Sequence, residues 1–106
     1  MKAGQVITMV DELKENEIND EIKLFWLNEV EGRINAEILK RDVSEFKELV
    51  SLGDELSVPM PYSKMYPLYL EAMIDFRLGN YDAYIAEVSE FEKVLADYSR
   101  YLIRNR

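Results

Sequence analysis

Two acidic residues in the C-terminal half, Glu71 and Asp75, have the type and spacing that catalysis could use. Residues four apart lie on the same face of a helix, and here the surrounding positions are apolar. A pair of carboxyl groups in such a setting can serve as general acid and base. The alternative is that they form salt bridges with arginines such as Arg33 or Arg77, and we favour it because buried carboxylates usually have such partners.

A second group of acidic residues surrounds the first predicted turn between helices. It consists of Asp11, Glu12, Glu15, Glu17, Asp20 and Glu21. A calcium loop needs alternating oxygen ligands, a glycine and a distal glutamate, and this order is missing. The group is therefore interpreted as a solvated acidic face or as a patch for a basic partner.

The side chains that most catalytic and metal sites require are missing from the composition. The chain has no histidine and no cysteine. Neither a Ser-His nor a Cys-His nucleophile can form, a zinc site would lack its preferred ligands, and the Glu-x-x-His pairs of helical di-iron sites are excluded. No glycine-rich phosphate loop occurs either. The sequence predicts a binding protein that is not an enzyme and has no catalytic residue, cofactor or metal.

The charge balance bears on partners and location. Thirteen basic residues face 21 acidic ones, for a net charge of −8, which disfavours tight binding to nucleic acid. Arg100, Arg104 and Arg106 follow one another along the last helix, where cations complement the helix dipole. The lack of cysteine suits a reducing cytoplasm, and no apolar stretch is long enough for a signal or a membrane span. We expect a soluble protein inside the cell, without contact to membranes.

Apolar periodicity predicts an all-α fold with a single domain over residues 1–106. Four helices are expected, at about 3–14, 20–41, 63–78 and 81–103, with an irregular loop at 42–61. The second helix is long and central, and Asn19 is its predicted N-cap. Within the loop, residues 44–50 fit a helical turn or a short strand equally well. The short link Gly79-Asn80 makes the last two helices an antiparallel hairpin.

Each helix has a predicted packing face. On the first helix it contains Val6, Met9, Val10 and Leu13. On the second, a stripe that winds around the axis contains Ile22, Trp26, Val30, Ile34 and Ile38. Apolar residues outside that stripe indicate more than one neighbour, and Gly32 is expected to permit close backbone approach. The third helix is apolar nearly all round, so it should be central, provided that Pro67 falls in its first turn.

The fourth helix has a heptad-like seam, and its solvated side is expected to include Glu87. The seam contains Tyr81, Tyr84, Val88, Phe91, Leu95, Tyr98 and Leu102. All seven tyrosines lie in the C-terminal half, where core and interface packing is their expected role. The candidate interface residues are Ile22, Phe25, Leu39, Tyr66, Tyr84, Tyr98 and Tyr101.

Three segments, taken in order, resemble motifs of one protein family. Residues 26–34, WLNEVEGRI, resemble a WLxELDGRI helix. Residues 58–62, VPMPY, resemble a VPxPY helix entry, and residues 69–81, YLEAMIDFRLGNY, resemble a YLEAxIDxxxGEY hairpin. The motif residues are Trp26, Leu27, Glu31, Gly32, Arg33, Ile34, Pro59, Pro61, Tyr62, Tyr69, Leu70, Glu71, Ile74, Asp75, Gly79 and Tyr81. After Tyr81 the family is often rich in asparagine and this chain is not, so the contacts of the last helix are not inferred from the family.

These motifs are similar to those of head-tail connectors, or head-completion adaptors, of tailed phages, the small DNA-packaging proteins of prophages in Gram-positive bacteria. The resemblance implies a structural subunit that assembles into a homo-oligomeric ring of about a dozen copies under the portal protein. Such a ring would extend the DNA channel, contact DNA only as it passes, and dock a tail protein or a second connector. The location implied is the virion neck, after assembly in the host cytoplasm. A small cytoplasmic helical interaction module or regulator is the alternative.

Overall fold

The four predicted helices are present in the computed structural model, which describes residues 1–105. They are α1 (Ala3–Leu13), α2 (Asp20–Arg33), α3 (Met65–Leu78) and α4 (Tyr81–Arg104). The described chain contains no β-strand, and residues 2 and 55 form a single isolated bridge. The all-α class and the C-terminal hairpin are therefore confirmed, while the predicted role of Arg106 lies outside the described residues.

The predicted second helix is shorter as an α-helix than its apolar pattern indicated. After Arg33 the backbone widens into a π-helical turn, Ile34–Ile38, and Lys40 then adopts a left-handed conformation with φ of 56°. The buried amide of Asn35 donates to the Glu31 carbonyl oxygen, 2.8 Å away, and so competes for an acceptor of the helical ladder. The boundary predicted at residue 41 is corrected to residue 38.

The helices run alternately up and down, so the molecule has two distinct ends. At the hairpin end, α1 and α3 terminate and α2 and α4 begin, and Lys14 at the end of α1 contacts Asp75 of α3. At the opposite end, Tyr62 before α3 packs against Tyr98 of α4, with ring centroids 5.3 Å apart. The principal extents are 40 × 28 × 21 Å. Side chains brought to one end therefore come from helices distant in sequence.

Helix α3 lies at the centre, as its apolar surface predicts, and contacts all three other α-helices. Its fully buried side chains include Met65, Tyr66, Leu70 and Ile74. The winding stripe on α2 is also confirmed as a packing face: Trp26, Val30 and Ile34 are buried, and Ile22 and Ile38 are half-buried. Burial of these large side chains, each worth about 1.5 to 3 kcal/mol, is the main stabilisation of the bundle.

The buried face of α1 differs from the predicted one. The core side contains Ala3, Val6, Ile7 and Val10, whereas Met9 is 39% exposed and Leu13 is 66% exposed. Both sets of residues satisfy the spacing of one helical face, so periodicity does not choose between them. The choice is made by the N-terminus of α1, where backbone N–H groups donate to carbonyl oxygens of the loop, including Gly4 to Leu52 at 2.8 Å.

The seam of α4 is buried only over its C-terminal half. Phe91, Leu95 and Tyr98 lie in the core, but Tyr81 is exposed at the start of the helix. Glu87, predicted to be solvated, is instead half-buried against α1 and α3. The correction has a simple cause: Lys14 at the end of α1 lies over this part of α4 and attracts the carboxylate.

The loop at residues 42–61 is irregular, as predicted, but it is tied to the bundle. Within residues 42–61 a 3-10 turn at Val43–Glu45 is the one helical element, and residues 46–50 form no strand. Leu49, Leu56 and Val58 are buried. The Asn28 side chain holds the loop with two hydrogen bonds to the Leu49 backbone, its amide donating at 3.0 Å and its oxygen accepting at 2.7 Å. The amide thus satisfies backbone groups that a strand partner would otherwise pair.

The predicted helix boundaries at caps and breakers are confirmed. The Asn19 side chain accepts from the Ile22 N–H at 2.9 Å, and Gly79 ends α3 with φ of +82°. Pro67 falls in the first turn of α3, which a 3-10 turn at Tyr62–Lys64 precedes. The Met60-Pro61 peptide bond is cis. Across residues 1–105, no helix combines the length and apolarity that crossing a membrane requires.

A pair of glycine variants tests which glycine lies close to another backbone. A Cβ at Gly32 would have no atom within 4 Å, so the predicted close approach there is wrong; at Gly4 it would lie 3.0 Å from the Leu52 carbonyl oxygen. We expect Gly32→Ala to raise the free energy of unfolding by about 1 kcal/mol, because alanine favours the helix. Gly4→Ala should give no such gain. Urea denaturation of both variants measures the difference, and equal gains would contradict this account.

Candidate functional site

The closest approach to reactive chemistry is a cluster of three charged side chains at the hairpin end. Lys14 at the end of α1 places its Nζ 2.9 Å from Asp75 of α3 and 3.3 Å from Glu87 of α4. Asn80, which precedes α4, donates to Asp75 at 3.2 Å. The Asp75 side chain is 4% exposed and that of Glu87 15%. Three helices thus meet at one lysine, with two carboxyl groups around it.

The pKa values of the two carboxyl groups are shifted in opposite directions. Burial, together with hydrogen bonding to Asp75, raises the pKa of Glu87 to about 7. For Asp75, burial acts in the same direction, but hydrogen bonds with Glu87, Lys14 and Asn80 outweigh it and lower the pKa. Hydrogen bonding to Asp75 also raises the pKa of Lys14. Below about pH 7, Glu87 therefore carries a proton while the neighbouring Asp75 is ionised.

The predicted partners of Asp75 require correction. Its carboxyl partner is Glu87, not Glu71, and its cation is Lys14, not an arginine. Glu71 is half-buried, and desolvation raises its pKa. Arg33 instead forms a bidentate salt bridge with Glu92 of α4, and two of its guanidinium nitrogens lie 2.8 and 3.1 Å from the two carboxylate oxygens. The expectation of salt bridging is confirmed for Asp75, with a partner that helix spacing does not indicate.

The pH dependence of stability offers a test of the Glu87 assignment. Its raised pKa means that the folded chain keeps a proton that the unfolded chain loses, so stability falls as pH rises from about 4.5 to 7. Glu87→Gln imitates the protonated acid and should raise the free energy of unfolding by about 1 to 2 kcal/mol at pH 8, with little change at pH 4.5. Urea titrations at both pH values measure this.

The exposed Glu90 on the same helix serves as control, since Glu90→Gln should have almost no effect at either pH. A Glu87→Gln effect that is equal at pH 4.5 and pH 8 would contradict a proton on Glu87.

A second polar cluster is centred on Glu31, which is 3% exposed. One carboxylate oxygen accepts from the Ser57 N–H at 3.0 Å and the Ser57 hydroxyl at 2.5 Å. The other accepts from the Tyr66 hydroxyl, which itself accepts from the Val58 N–H at 3.0 Å. Burial and the nearby Glu31 charge raise the pKa of Tyr66, so its hydroxyl keeps the donated proton. This cluster joins α2, the loop and α3.

Five of the sixteen motif residues lie in the hydrophobic core. These are Trp26, Leu27, Ile34, Leu70 and Ile74. Two candidate interface residues are corrected, because Tyr66 is fully buried and Tyr98 is 4% exposed. The other candidate interface residues reach the surface: Phe25 and Tyr101 are exposed, while Ile22, Leu39 and Tyr84 are half-buried. Pro59, Pro61, Gly79 and Tyr81 are exposed, and Gly32, Arg33, Tyr62, Tyr69 and Glu71 are half-buried.

An aromatic and apolar surface lies at the hairpin end. We call it the hairpin patch and define it as Phe76, Tyr81, Tyr84 and Ile85. The Phe76 ring lies 5.7 Å from Tyr81 and 5.0 Å from Tyr84, centroid to centroid. Phe76 is 49% exposed, and Ile85 is 64% exposed. Their spacing resembles that of core residues, so only the absence of a covering helix reveals the patch.

The acidic group at the first turn is largely solvated, with one exception. Asp11 pairs with Lys23 at 2.7 Å, and that lysine is 2% exposed. Among residues 1–105, no set of three or more acidic side chains is arranged to hold a metal ion. The hairpin end therefore carries exposed carboxylates in addition to the hairpin patch.

Searches against models of protein families, curated proteins and solved structures find no match to this chain.

Proposed function

We propose that this chain is a structural subunit of a phage head-tail connector and not an enzyme. One observation supports this most: the three segments that resemble connector motifs contribute to one hydrophobic core, and the first two also meet in the Glu31 cluster. Residues 26–34 supply Glu31, residues 58–62 supply the Val58 N–H, and Tyr66 of α3 joins the two. Leu70 and Ile74 of the third segment lie in the same core, so the segments that resemble one family in order also pack together in the fold.

The physical properties of the surface are compatible with this role. A net charge of −8 disfavours binding to phosphates, which suits a channel through which DNA passes without sticking. The exposed hairpin patch offers apolar area for a neighbouring protein. In the proposed ring of about a dozen copies, subunits associate through heterologous surfaces, and the ring docks on the portal protein and on a tail protein or second connector. The assembled ring belongs to the virion neck.

Binding to the portal protein tests the proposal. The chain is mixed with the portal protein encoded in the same genome, and the mixture is examined by light scattering after size exclusion and by negative-stain imaging. We expect rings seated on portal rings, and a shift in mass equal to several copies of the chain. If the chain folds normally but forms no rings and does not bind the portal protein, the proposal is contradicted.

A small helical interaction module is the second candidate, because the hairpin patch alone suits a single partner. If this candidate is correct, the chain stays monomeric and does not bind the portal protein. Substitution of Ile85 then abolishes binding to its single partner. The two functions therefore differ in the mass of the complex, which the same light-scattering measurement determines.

A further inference from the structure

We infer that copies of this chain bind head to tail, with the hairpin patch and its acidic surroundings on one copy receiving the basic last turn of α4 from the next copy. The inference rests on the proposed function, since it names the surfaces through which its subunits associate. Charge is distributed unevenly between the two ends of the bundle.

The hairpin end is strongly acidic at its surface. The exposed carboxylates there are Asp11, Glu12, Glu15, Glu17, Asp20, Glu21 and Asp82. Two of the lysines at this end, Lys14 and Lys23, are paired with carboxylates and are half-buried or buried. The last turn of α3 and the first turn of α4 contain one basic residue, Arg77, which is exposed. The hairpin patch thus lies at an end of the molecule where exposed carboxylates outnumber exposed cations.

The last turn of α4, at the opposite end, has the complementary character. Arg100 and Arg104 are exposed, with exposed Tyr101 on one side and Ile103, 58% exposed, on the other. At 100° per residue the four side chains cover less than half of the helix circumference. Arg41, which follows the π-helical turn, lies near Tyr98: burial raises the pKa of Tyr98, and the Arg41 charge acts against that rise. This turn therefore combines cations with apolar side chains.

Charge decides between possible pairings of these two surfaces. Two hairpin ends facing each other would bring the exposed carboxylates of one copy against those of the other, and such a contact is repulsive. Head-to-tail contact instead places arginines opposite carboxylates and Ile103 against the hairpin patch. The Arg100–Asp97 pair within α4 is exposed, so Arg100 can exchange it for a carboxylate of another copy at little cost. Such a heterologous contact closes into a ring when the rotation allows.

The test uses one variant of each surface in the full chain. Ile85→Lys changes the hairpin patch, and Arg104→Glu changes the last turn of α4; both side chains are exposed, so the fold should persist. Sedimentation velocity at low and high salt measures association. We expect the unmodified chain to associate more weakly at high salt. Each variant alone should associate about tenfold more weakly than the unmodified chain.

An equimolar mixture of the two variants distinguishes head-to-tail binding from other modes. Each variant keeps one intact surface, so the mixture should associate where neither variant does alone. Lys93→Glu and Val50→Lys are matched controls, because both residues are exposed elsewhere, and they should behave as the unmodified chain does.

Several outcomes would overturn the inference: a chain that stays monomeric at low salt over the whole concentration range, variants that associate normally, or a mixture that fails to pair. The proposed function fails separately. If both variants still form rings on the portal protein, the inference is wrong and the connector role stands. If the mixture pairs as expected but the unmodified chain does not bind portal, the inference stands and the connector role is wrong.

Discussion

Replacing Glu31 by alanine is expected to lower the free energy of unfolding by about 3 kcal/mol. The carboxylate is 3% exposed, and its two oxygens accept three hydrogen bonds, from Ser57 and from the Tyr66 hydroxyl. Removing it leaves the Ser57 N–H without this acceptor and the Tyr66 hydroxyl without its own. Hydrogen bonds to a charged group are worth about 1.5 to 3 kcal/mol each, and the lost side chain also leaves a cavity.

Glu31→Gln separates the hydrogen bonds from the volume. Glutamine fills the same space, but one of its two end groups is a donor, so it can satisfy one side of the cluster only. We expect a loss of about half that of the alanine variant. Tyr66→Phe should also destabilise, since the Val58 N–H loses its acceptor. Urea denaturation measures all three.

Glu29 provides the matched control, because it lies on the same helix and is exposed. Glu29→Ala should change the free energy of unfolding by less than about 0.5 kcal/mol. If Glu31→Ala and Glu29→Ala were equally stable, the Glu31 cluster would not be what holds the loop between α2 and α3. Hydrogen exchange of the Ser57 and Val58 amides would report the same loss locally, as faster exchange in the Glu31 variant.

Replacing Lys14 by methionine is expected to lower the free energy of unfolding by about 2 to 3 kcal/mol at pH 8. Methionine keeps most of the apolar stem and removes the cation that faces both Asp75 and Glu87. Two carboxylates with little exposure then repel each other without compensation. The loss is smaller than for a fully buried ion pair, because Lys14 itself is 26% exposed.

The pH dependence identifies the cause of that loss. At pH 5 Glu87 carries a proton in the folded chain, since its pKa is about 7, so only Asp75 remains charged. The destabilisation by Lys14→Met should therefore be smaller at pH 5 than at pH 8. Combining Lys14→Met with Glu87→Gln should recover part of the stability at pH 8. A loss that is the same at both pH values, or no recovery in the double variant, would mean that Lys14 stabilises by packing alone.

The two clusters differ in what they can do for a binding protein. The Glu31 cluster holds a long loop against the bundle, so the surface of that loop keeps a defined shape. The Lys14 cluster lies beneath the hairpin end, close to the start of α4, which carries Tyr84 and Ile85 of the hairpin patch. The Lys14 cluster therefore stabilises a surface on which the proposed assembly depends, and neither cluster needs to take part in a reaction.

Local patterns in the sequence determined most of the fold. Periodic apolar residues placed all four helices, Gly79 and Asn19 marked two helix boundaries, and the apolar circumference of α3 predicted its central position. These features succeed because helix formation, capping and amphipathicity depend on residues within a few positions of each other. The resemblance to connector motifs, which carries the proposed function, also came from the sequence alone.

Only the tertiary structure decided which groups meet. Asp75 pairs with Glu87 and Lys14, whereas spacing along one helix indicated Glu71. Likewise, spacing alone did not say that α1 buries Ile7 and leaves Leu13 exposed. The physical reason is common to these cases: the partner of a buried polar group, and the choice between equivalent helix faces, depend on contacts between residues far apart in the chain, and a local pattern carries no information about them.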